Sequence, residues 1–224
     1  MKHLVFDSGP IISFTMNNLL WALDPLKHRF EGEFLITPKV KEEIVDKPIQ
    51  TKKYKLEAIQ VRQQIEKQVI TEVKEKKELS DLTERLSFYA NNIFQAWGSY
   101  IKIVHEGEMQ SLALAKIIEA EALVVDERNV RILIEDPEGL ATIMKSKLHT
   151  NIKIDRQNLK KFQQMTKGIR IIRSLELVII AYQLGVFDDY KTQKKELLDA
   201  LLWGIKLNGC SVSEREIEEI STTV

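Results

Sequence analysis

The chain has 224 residues, 44% of them hydrophobic and 29% charged, which is enough to bury a core and to form one globular domain with additions. Its 33 Lys and Arg residues balance 33 Asp and Glu residues, so a global basic field for nucleic acid is excluded and only local patches remain. The single cysteine, Cys210, excludes an internal disulfide. An apolar run broken at Asp7 and the lack of any run near 18 apolar residues predict no signal peptide and no membrane partner, so we expect a cytoplasmic protein.

The first fifty residues alternate short apolar runs with helical patterns. Residues 4–6 predict a buried strand, and Pro10 lies in the first turn of a helix expected to reach about Leu23. Residues 34–36 predict a second strand. Thr37 and Pro38 then supply a cap and a first-turn proline for a helix that runs to about residue 45.

The next segment, residues 51–98, is polar and carries apolar residues at helical spacing. It predicts two helices. The break between them is expected near residues 79–81, where Asp81 and Glu84 resemble a capping box, and Gly98 is the expected helix end.

Three further apolar runs predict strands, at residues 101–104, 122–125 and 169–172. The helix starts expected in this half share polar or acidic caps, and they lie at Glu106, Asp136, Asp155 and Ser213. Strands that alternate with helices predict an α/β fold, with a central, mostly parallel sheet between two layers of helices. Helical additions are expected at about residues 51–98 and 136–167.

Carboxylates follow the predicted strands. Asp7 and Asp126 each end a strand, and neighbouring parallel strands would bring both to the same edge of the sheet. Glu43 and Glu108 lie early in helices that follow strands. Either aspartate alone could simply cap the next helix. Four carboxylates together repel one another unless a cation lies among them, and oxygen ligands alone select Mg²⁺ or Mn²⁺, with Ca²⁺ left open.

Four segments around these acids resemble motifs of the PIN-domain family. Residues 5–8, Val-Phe-Asp-Ser, look like its opening strand, and residues 37–44 resemble its second element, in which the functional Glu precedes an aliphatic residue and favours Glu43. Residues 107–115 are similar to the Gly-Glu start of the helix with the third acid, and residues 124–131 to the strand that ends in the fourth.

The resemblance continues towards the C-terminus. Residues 171–186 look like the closing strand and helix, and residues 197–201 with Ser213 fit a small helical tail seen in archaeal and bacterial members. The sequence departs from the family in the long stretch between the second and third acids, in the insertion at 136–167, and at Arg173, where many relatives carry glycine.

The resemblance implies a PIN-like three-layer α/β/α fold and a Mg²⁺- or Mn²⁺-dependent endoribonuclease that hydrolyses phosphodiester bonds. The catalytic, metal-binding residues it implies are Asp7, Glu43, Glu108 and Asp126, with Ser8 hydrogen-bonding behind them. The alternative is a non-catalytic PIN-like module for RNA binding or assembly.

The implied partner is RNA, single-stranded or structured. One basic side chain that could contact RNA lies beside the fourth acid, and the others lie in the second insertion. They are Arg128, and Lys145, Lys147, Arg156, Lys160 and Lys161. An ordinary solvated helix face explains the insertion's lysines equally well, and Arg128 can instead pair with Glu127. A protein inhibitor of the antitoxin kind and a homodimer are further expectations.

Overall fold

The computed structural model describes residues 1–223. Its strands, in chain order, are β1 (Lys2–Phe6), β2 (Gly32–Ile36), β3 (Thr71–Glu72), β4 (Phe94–Ala96), β5 (Ser99–Tyr100), β6 (Ala122–Val124), β7 (Lys153–Ile154) and β8 (Ile171–Ile172). Five of them form one parallel sheet in the order β3-β2-β1-β6-β8. In its centre Val5 pairs with Leu35 on one side and with Leu123 on the other.

Helices cover both faces of this sheet. They are α1 (Ser8–Met16), α2 (Leu23–Phe30), α3 (Pro38–Lys41), α4 (Lys55–Glu66), α5 (Lys77–Asn91), α6 (Glu106–Ile117), α7 (Arg128–Glu135), α8 (Pro137–Leu148), α9 (Arg156–Thr166), α10 (Ser174–Gln183), α11 (Lys194–Leu207) and α12 (Glu214–Thr223). Within residues 1–223 no helix is both long and apolar enough to cross a membrane.

Alternation along the strands divides the core in two. Leu4 and Phe6 of β1 point into one cluster with buried residues of α1, α2, α4, α10 and α11. Val5 between them points into the other, with buried residues of α5 to α9. The predicted three-layer α/β/α architecture with a central parallel sheet is thereby confirmed.

The first helix ends earlier than predicted. It stops at Met16 rather than near Leu23. Asn17 donates its side-chain amide to the Ser13 carbonyl at 2.7 Å, and Asn18 takes a left-handed φ of 56°. Asparagine side chains compete with helical hydrogen bonding and tolerate this conformation, so the chain turns here before α2 begins.

The predicted break at residues 79–81 is wrong, because these residues lie inside α5. The break is at residues 67–76, where Gln68 has a φ of 59° and β3 adds an edge strand to the sheet. Buried Val69 and Ile70 pack in the first core. The helical spacing of the valines could not reveal this, since pairing with β2 decides the conformation.

A hairpin replaces two other predictions. Trp97 and Gly98, with φ values of 51° and 80°, form the two-residue turn between β4 and β5, so Gly98 ends no helix. The strand predicted at residues 101–104 is also wrong. The Asn91 side-chain oxygen instead accepts hydrogen bonds from the backbone N–H groups of Ile103 and Val104 at 2.8 and 3.1 Å.

The other predicted helix starts agree with the structure. Asp136 accepts from the Gly139 N–H at 2.9 Å, Asp155 caps α9, and the Ser213 hydroxyl accepts from the Glu216 N–H at 3.2 Å. The two additions are not wholly helical, however. The first contains β3 and β4, the second contains β7, and β7 pairs with β4 to join the two additions in a small antiparallel sheet.

Candidate active site

Two aspartates meet at the carboxyl edge of the central sheet. Asp7 follows β1, Asp126 lies two residues after β6, and the Asp7 N–H donates to the Val124 carbonyl at 3.0 Å. Each aspartate is only 4% exposed. Gly9 keeps the first turn of α1 close to this edge, because a Cβ there would lie 3.3 Å from the Asp126 Cβ. Parallel pairing has therefore placed both acids where the sequence predicted them.

The Asp7 carboxylate is in a repulsive environment. Burial, followed by the charges of Glu108 and Glu43, raises its pKa from 3.8 to about 7, although hydrogen bonds from the Ser8 and Gly9 N–H groups act in the opposite direction. The Ser111 hydroxyl contacts one carboxylate oxygen at 3.5 Å. Ser8 thus serves Asp7 through its backbone, and the neighbouring hydroxyl belongs to Ser111 on α6.

Glu108 is the third residue of α6 and its carboxylate closes that helix start. It accepts a 2.7 Å hydrogen bond from the His105 N–H. Burial is the largest influence on it and raises its pKa to about 7, together with the charges of Glu127 and Glu43, whereas the His105 hydrogen bond lowers it. Asp7 is therefore a buried acid and Glu108 a half-buried one, and the charge of Glu108 disfavours the ionised form of Asp7.

Glu43 approaches the same place from a π-helical turn, Glu42–Asp46, that continues α3. Its carboxylate packs against Gly107, where an added Cβ would lie 2.8 Å from Oε1. Glu42 points to Lys39 and Lys47, with ion pairs of 3.0 Å each. Single π-turns are frequent at functional sites, because the extra residue redirects the side chains that follow.

The Asp126 carboxylate accepts several short hydrogen bonds. One oxygen accepts from the Ser13 and Ser174 hydroxyls at 2.8 Å each, and the other accepts from the Ser174 N–H at 2.8 Å. Cys210 lies beside this network, and burial, with the nearby Asp126 charge, raises the pKa of its thiol to about 12. Asp126 thus ties the end of β6 to the middle of α1 and to the start of α10.

The sequence missed Ser13, Ser111 and Ser174. All three are essentially buried and contact a site aspartate. The available signal was weak: Ser174 follows an apolar run at a helix start, as a capping residue does, and Ser13 and Ser111 lie within helices, where serine has no special meaning.

The donor set fits a hard divalent cation. Asp7, Glu43 and Glu108 offer only carboxylate oxygens, and a cation would stabilise the ionised forms of Asp7 and Glu108, which their surroundings disfavour. Among residues 1–223, no group of three or more His, Cys, Asp or Glu side chains is spaced to hold one ion. The ligand roles of the four acids stay predictions.

The basic residues singled out from the sequence have varied surroundings. Arg128 is exposed at the first position of α7, beside Glu127, whose carboxylate accepts from the Asn129 N–H and caps that helix. Arg156 is engaged in an ion pair with Glu138. The remaining four lysines are exposed on α8 and α9: Lys145, Lys147, Lys160 and Lys161, the last with its ammonium 5.4 Å from the centre of the Tyr89 ring.

Comparison with known families identifies the family of the chain. A family model described as a PIN domain matches residues 3–143, more than half of the chain, and the chain therefore belongs to the PIN-domain family. This is a nuclease-type fold whose members are generally nucleases and typically use divalent metal ions. Searches of curated proteins and of solved structures gave no match. The matched region contains all four acids, but β8 and Ser174 lie beyond it.

Proposed function

We propose that the protein is a metal-dependent ribonuclease that hydrolyses phosphodiester bonds with Mg²⁺ or Mn²⁺ held by Asp7, Glu43 and Glu108. The observation that carries this proposal is the buried Asp7 carboxyl at the carboxyl edge of a parallel sheet, repelled by the charge of the half-buried Glu108. Membership of a family of nucleases supports it.

The ionised carboxylates of this site are energetically unfavourable without a cation. Burying an acid without a charged partner penalises its ionised form, and a second carboxylate nearby adds to that penalty. A divalent cation removes both penalties, since it attracts the deprotonated forms of Asp7, Glu43 and Glu108 together. The site is thus expected to be destabilising when empty at neutral pH and stabilising when loaded.

Each part of the site has a role in this proposal. Asp7, Glu43 and Glu108 bind the ion, which when bound supplies an activated water and offsets charge on the phosphate. Asp126, held by Ser13 and Ser174, fixes the strand edge and contributes negative charge behind Asp7. Exposed Arg128 at the start of α7 is available to pair with a phosphate oxygen.

A second candidate function is a PIN-like module without catalysis, for RNA binding or assembly. The observation that favours it is the spacing of the acids, because no three ligand groups within residues 1–223 are arranged around one ion. Asp126, with three hydrogen-bond donors on its oxygens, also needs no cation. The nuclease proposal ranks first, since the non-catalytic module leaves the burial of Asp7 beside Glu108 unexplained.

The test is cleavage of labelled single-stranded RNA, structured RNA and single-stranded DNA in Mn²⁺ or Mg²⁺. The native protein is compared with Asp7→Asn and Glu108→Gln, and with Glu106→Gln as the control from the same turn of α6, where the side chain is 64% exposed. We expect metal-dependent RNA cleavage that both site variants lose and the control retains. Absence of cleavage, with no Mn²⁺ binding by calorimetry, would establish the non-catalytic module instead.

A further inference from the structure

An apolar groove of about 410 Å³ begins at Glu43 and extends over the surface of α1 and α4. It lies between α1, the π-helical turn and α4, and its apolar lining includes Ile11, Ile44 and Val61. Glu43 forms part of the wall, so one side of this residue meets the groove and another meets Gly107. A ligand in the groove would therefore lie next to the proposed metal ligands.

The rim of the groove carries an exposed aromatic residue, Tyr54, among lysines. Tyr54 is 47% exposed, and Lys52, Lys53 and Lys55 around it are exposed as well. The Lys53 ammonium lies 4.5 Å from the centre of the Tyr54 ring. Tyr54 also holds a left-handed φ of 64° at the start of α4, a conformation that costs free energy for any residue with a Cβ.

We propose that this groove binds a nucleobase of single-stranded RNA, stacked on Tyr54, with the neighbouring phosphates on Lys52, Lys53 and Lys55. The proposal deepens the proposed function, on which it rests, by assigning the groove beside Glu43 as the place where an unpaired base is held. Proteins that bind single strands combine a stacking aromatic residue with a positively charged path for the backbone, and both features occur here within four residues.

Charge distribution sets the orientation of the nucleotide. Inside the groove the charged lining residues are Glu43 and Glu57, which repel a phosphate, whereas the lysines lie at the Tyr54 rim and attract it. A neutral base therefore enters and the backbone stays outside. The size agrees, since pockets for small ligands measure about 300–1,000 Å³. Base-paired RNA is excluded because its bases are already stacked.

The experiment measures binding rather than cleavage, so that it is independent of the metal. Fluorescence anisotropy of labelled single-stranded RNA is recorded in EDTA for the native chain, Tyr54→Ala, Tyr54→Phe and Tyr100→Ala. Tyr100 is the matched control, because it is 44% exposed on β5 outside the groove. We expect Tyr54→Ala to weaken binding about tenfold or more, and the other two variants to bind like the native chain.

A second measurement examines the lysines. For the variant with Lys52, Lys53 and Lys55 all changed to Gln, the slope of log Kd against log salt concentration should fall by about 2, since each phosphate contact on a single strand contributes about 0.7. Duplex RNA of the same sequence should bind the native chain at least about tenfold more weakly than the single strand.

The outcomes separate this inference from the proposed function. If the native chain cleaves RNA but Tyr54→Ala binds it unchanged, or Tyr54→Phe is as weak as Tyr54→Ala, the nucleobase site is wrong and the nuclease stands. If the chain binds RNA through Tyr54 but never cleaves it, the nuclease is wrong and the site stands. Failure of the native chain to bind single-stranded RNA would overturn the inference and leave a peptide as the occupant to test.

Discussion

Asp7 and Asp126 lie just beyond the ends of two neighbouring strands, but their surroundings differ. Asp126 has three donors within 2.8 Å, so its charge is stabilised by hydrogen bonds. Asp7 has two backbone donors and faces the charges of Glu108 and Glu43. Hydrogen bonds to a carboxylate favour its ionised form, and burial beside like charges disfavours it. Asp7 is thus the residue whose charge most needs a cation.

The raised pKa of Asp7 predicts how pH changes stability without metal. The folded chain holds a proton on Asp7 up to about pH 7, whereas the unfolded chain releases it near pH 3.8. The folded state therefore binds more protons between these values, and the free energy of unfolding should fall as pH rises from about 4 to about 7, by a few kcal/mol in order of magnitude.

Urea unfolding in EDTA at about pH 5 and pH 8 measures this effect. Asp7→Asn should be more stable than the native chain at pH 8 and should show a smaller loss between the two pH values. The control is Asp189→Asn, at an exposed position, which should follow the native chain. Equal losses in the native chain and Asp7→Asn would contradict the prediction.

At the scale of elements, the site depends on contact between the π-helical turn after α3 and the first turn of α6. Gln110 joins α6 to α3, directly before the π-helical turn, because its side-chain oxygen accepts from the Lys39 N–H at 2.9 Å. Gly107 permits Glu43 to lie directly on α6. The glycine is needed for this close approach and not for an unusual backbone conformation, since it lies within a helix.

Gly107→Ala should therefore separate activity from stability. The new Cβ would lie 2.8 Å from Glu43 Oε1 and displace that carboxylate, which is the mobile end of a side chain. The cost of the displacement is offset by the better helix propensity of alanine, about 1 kcal/mol. We expect a melting temperature close to that of the native chain, and RNA cleavage at least about tenfold lower.

The matched control for Gly107→Ala is Glu106→Ala, one residue earlier on α6, where a 64% exposed side chain forms a 3.3 Å ion pair with Lys39; it should cleave RNA at close to the native rate. Native-like cleavage by Gly107→Ala would show that the position of Glu43 is unimportant. A large drop in its melting temperature would show instead that the neighbouring backbone, and not the flexible side chain, had to move.

At the scale of the whole molecule, the part of the chain beyond the family match supports the site. β8 extends the sheet next to β6, and Ser174 after it bonds to Asp126. Arg173 is 6% exposed and ion-paired with Glu176 on α10 and Glu216 on α12. Its guanidinium also donates to the Ser211 carbonyl at 3.2 Å. Arg173 thus fastens the last helix to the site.

Arg173→Met should lower the free energy of unfolding by about 2 kcal/mol. This is less than the cost of breaking a fully buried pair, because the Glu176 and Glu216 side chains are 34% and 37% exposed and can be solvated. Arg173→Lys should be only slightly more stable than Arg173→Met, since one ammonium group cannot replace a guanidinium that pairs with both carboxylates. Urea unfolding measures the loss, and hydrogen exchange should show α12 losing protection first.

The stabilisation by the Arg173–Glu216 ion pair should decrease in acid. Arg173 lowers the pKa of Glu216, so the pair's contribution is fully present above the ordinary value of 4.5 and is lost as pH falls through the lowered one. The difference between the native chain and Arg173→Met should therefore shrink at about pH 3. Arg215→Met is the control on α12, with a side chain 87% exposed, and should cost little. A larger loss for Arg215→Met than for Arg173→Met would refute the assignment.

The sequence alone determined the features that local chemistry controls. The buried strands β1, β2 and β6 are short apolar runs ended by polar residues, and the caps Asp136 and Asp155 bond to N–H groups two or three residues away. Since strand ends are local and parallel strands share an edge, the meeting of Asp7 and Asp126 could be predicted as well.

Tertiary structure decided what depends on contacts between distant residues. β3 is a strand only because β2 offers it a free edge, so its helical spacing was misleading. The partners of Asp126 are 113 and 48 residues away, and Tyr54 lines a groove with Ile11 and Glu43 through the packing of α4 on α1. Tertiary packing decides which hydrogen-bond donors and which charges surround a carboxylate, and therefore whether its ionised form is favoured. No local sequence pattern carries that information.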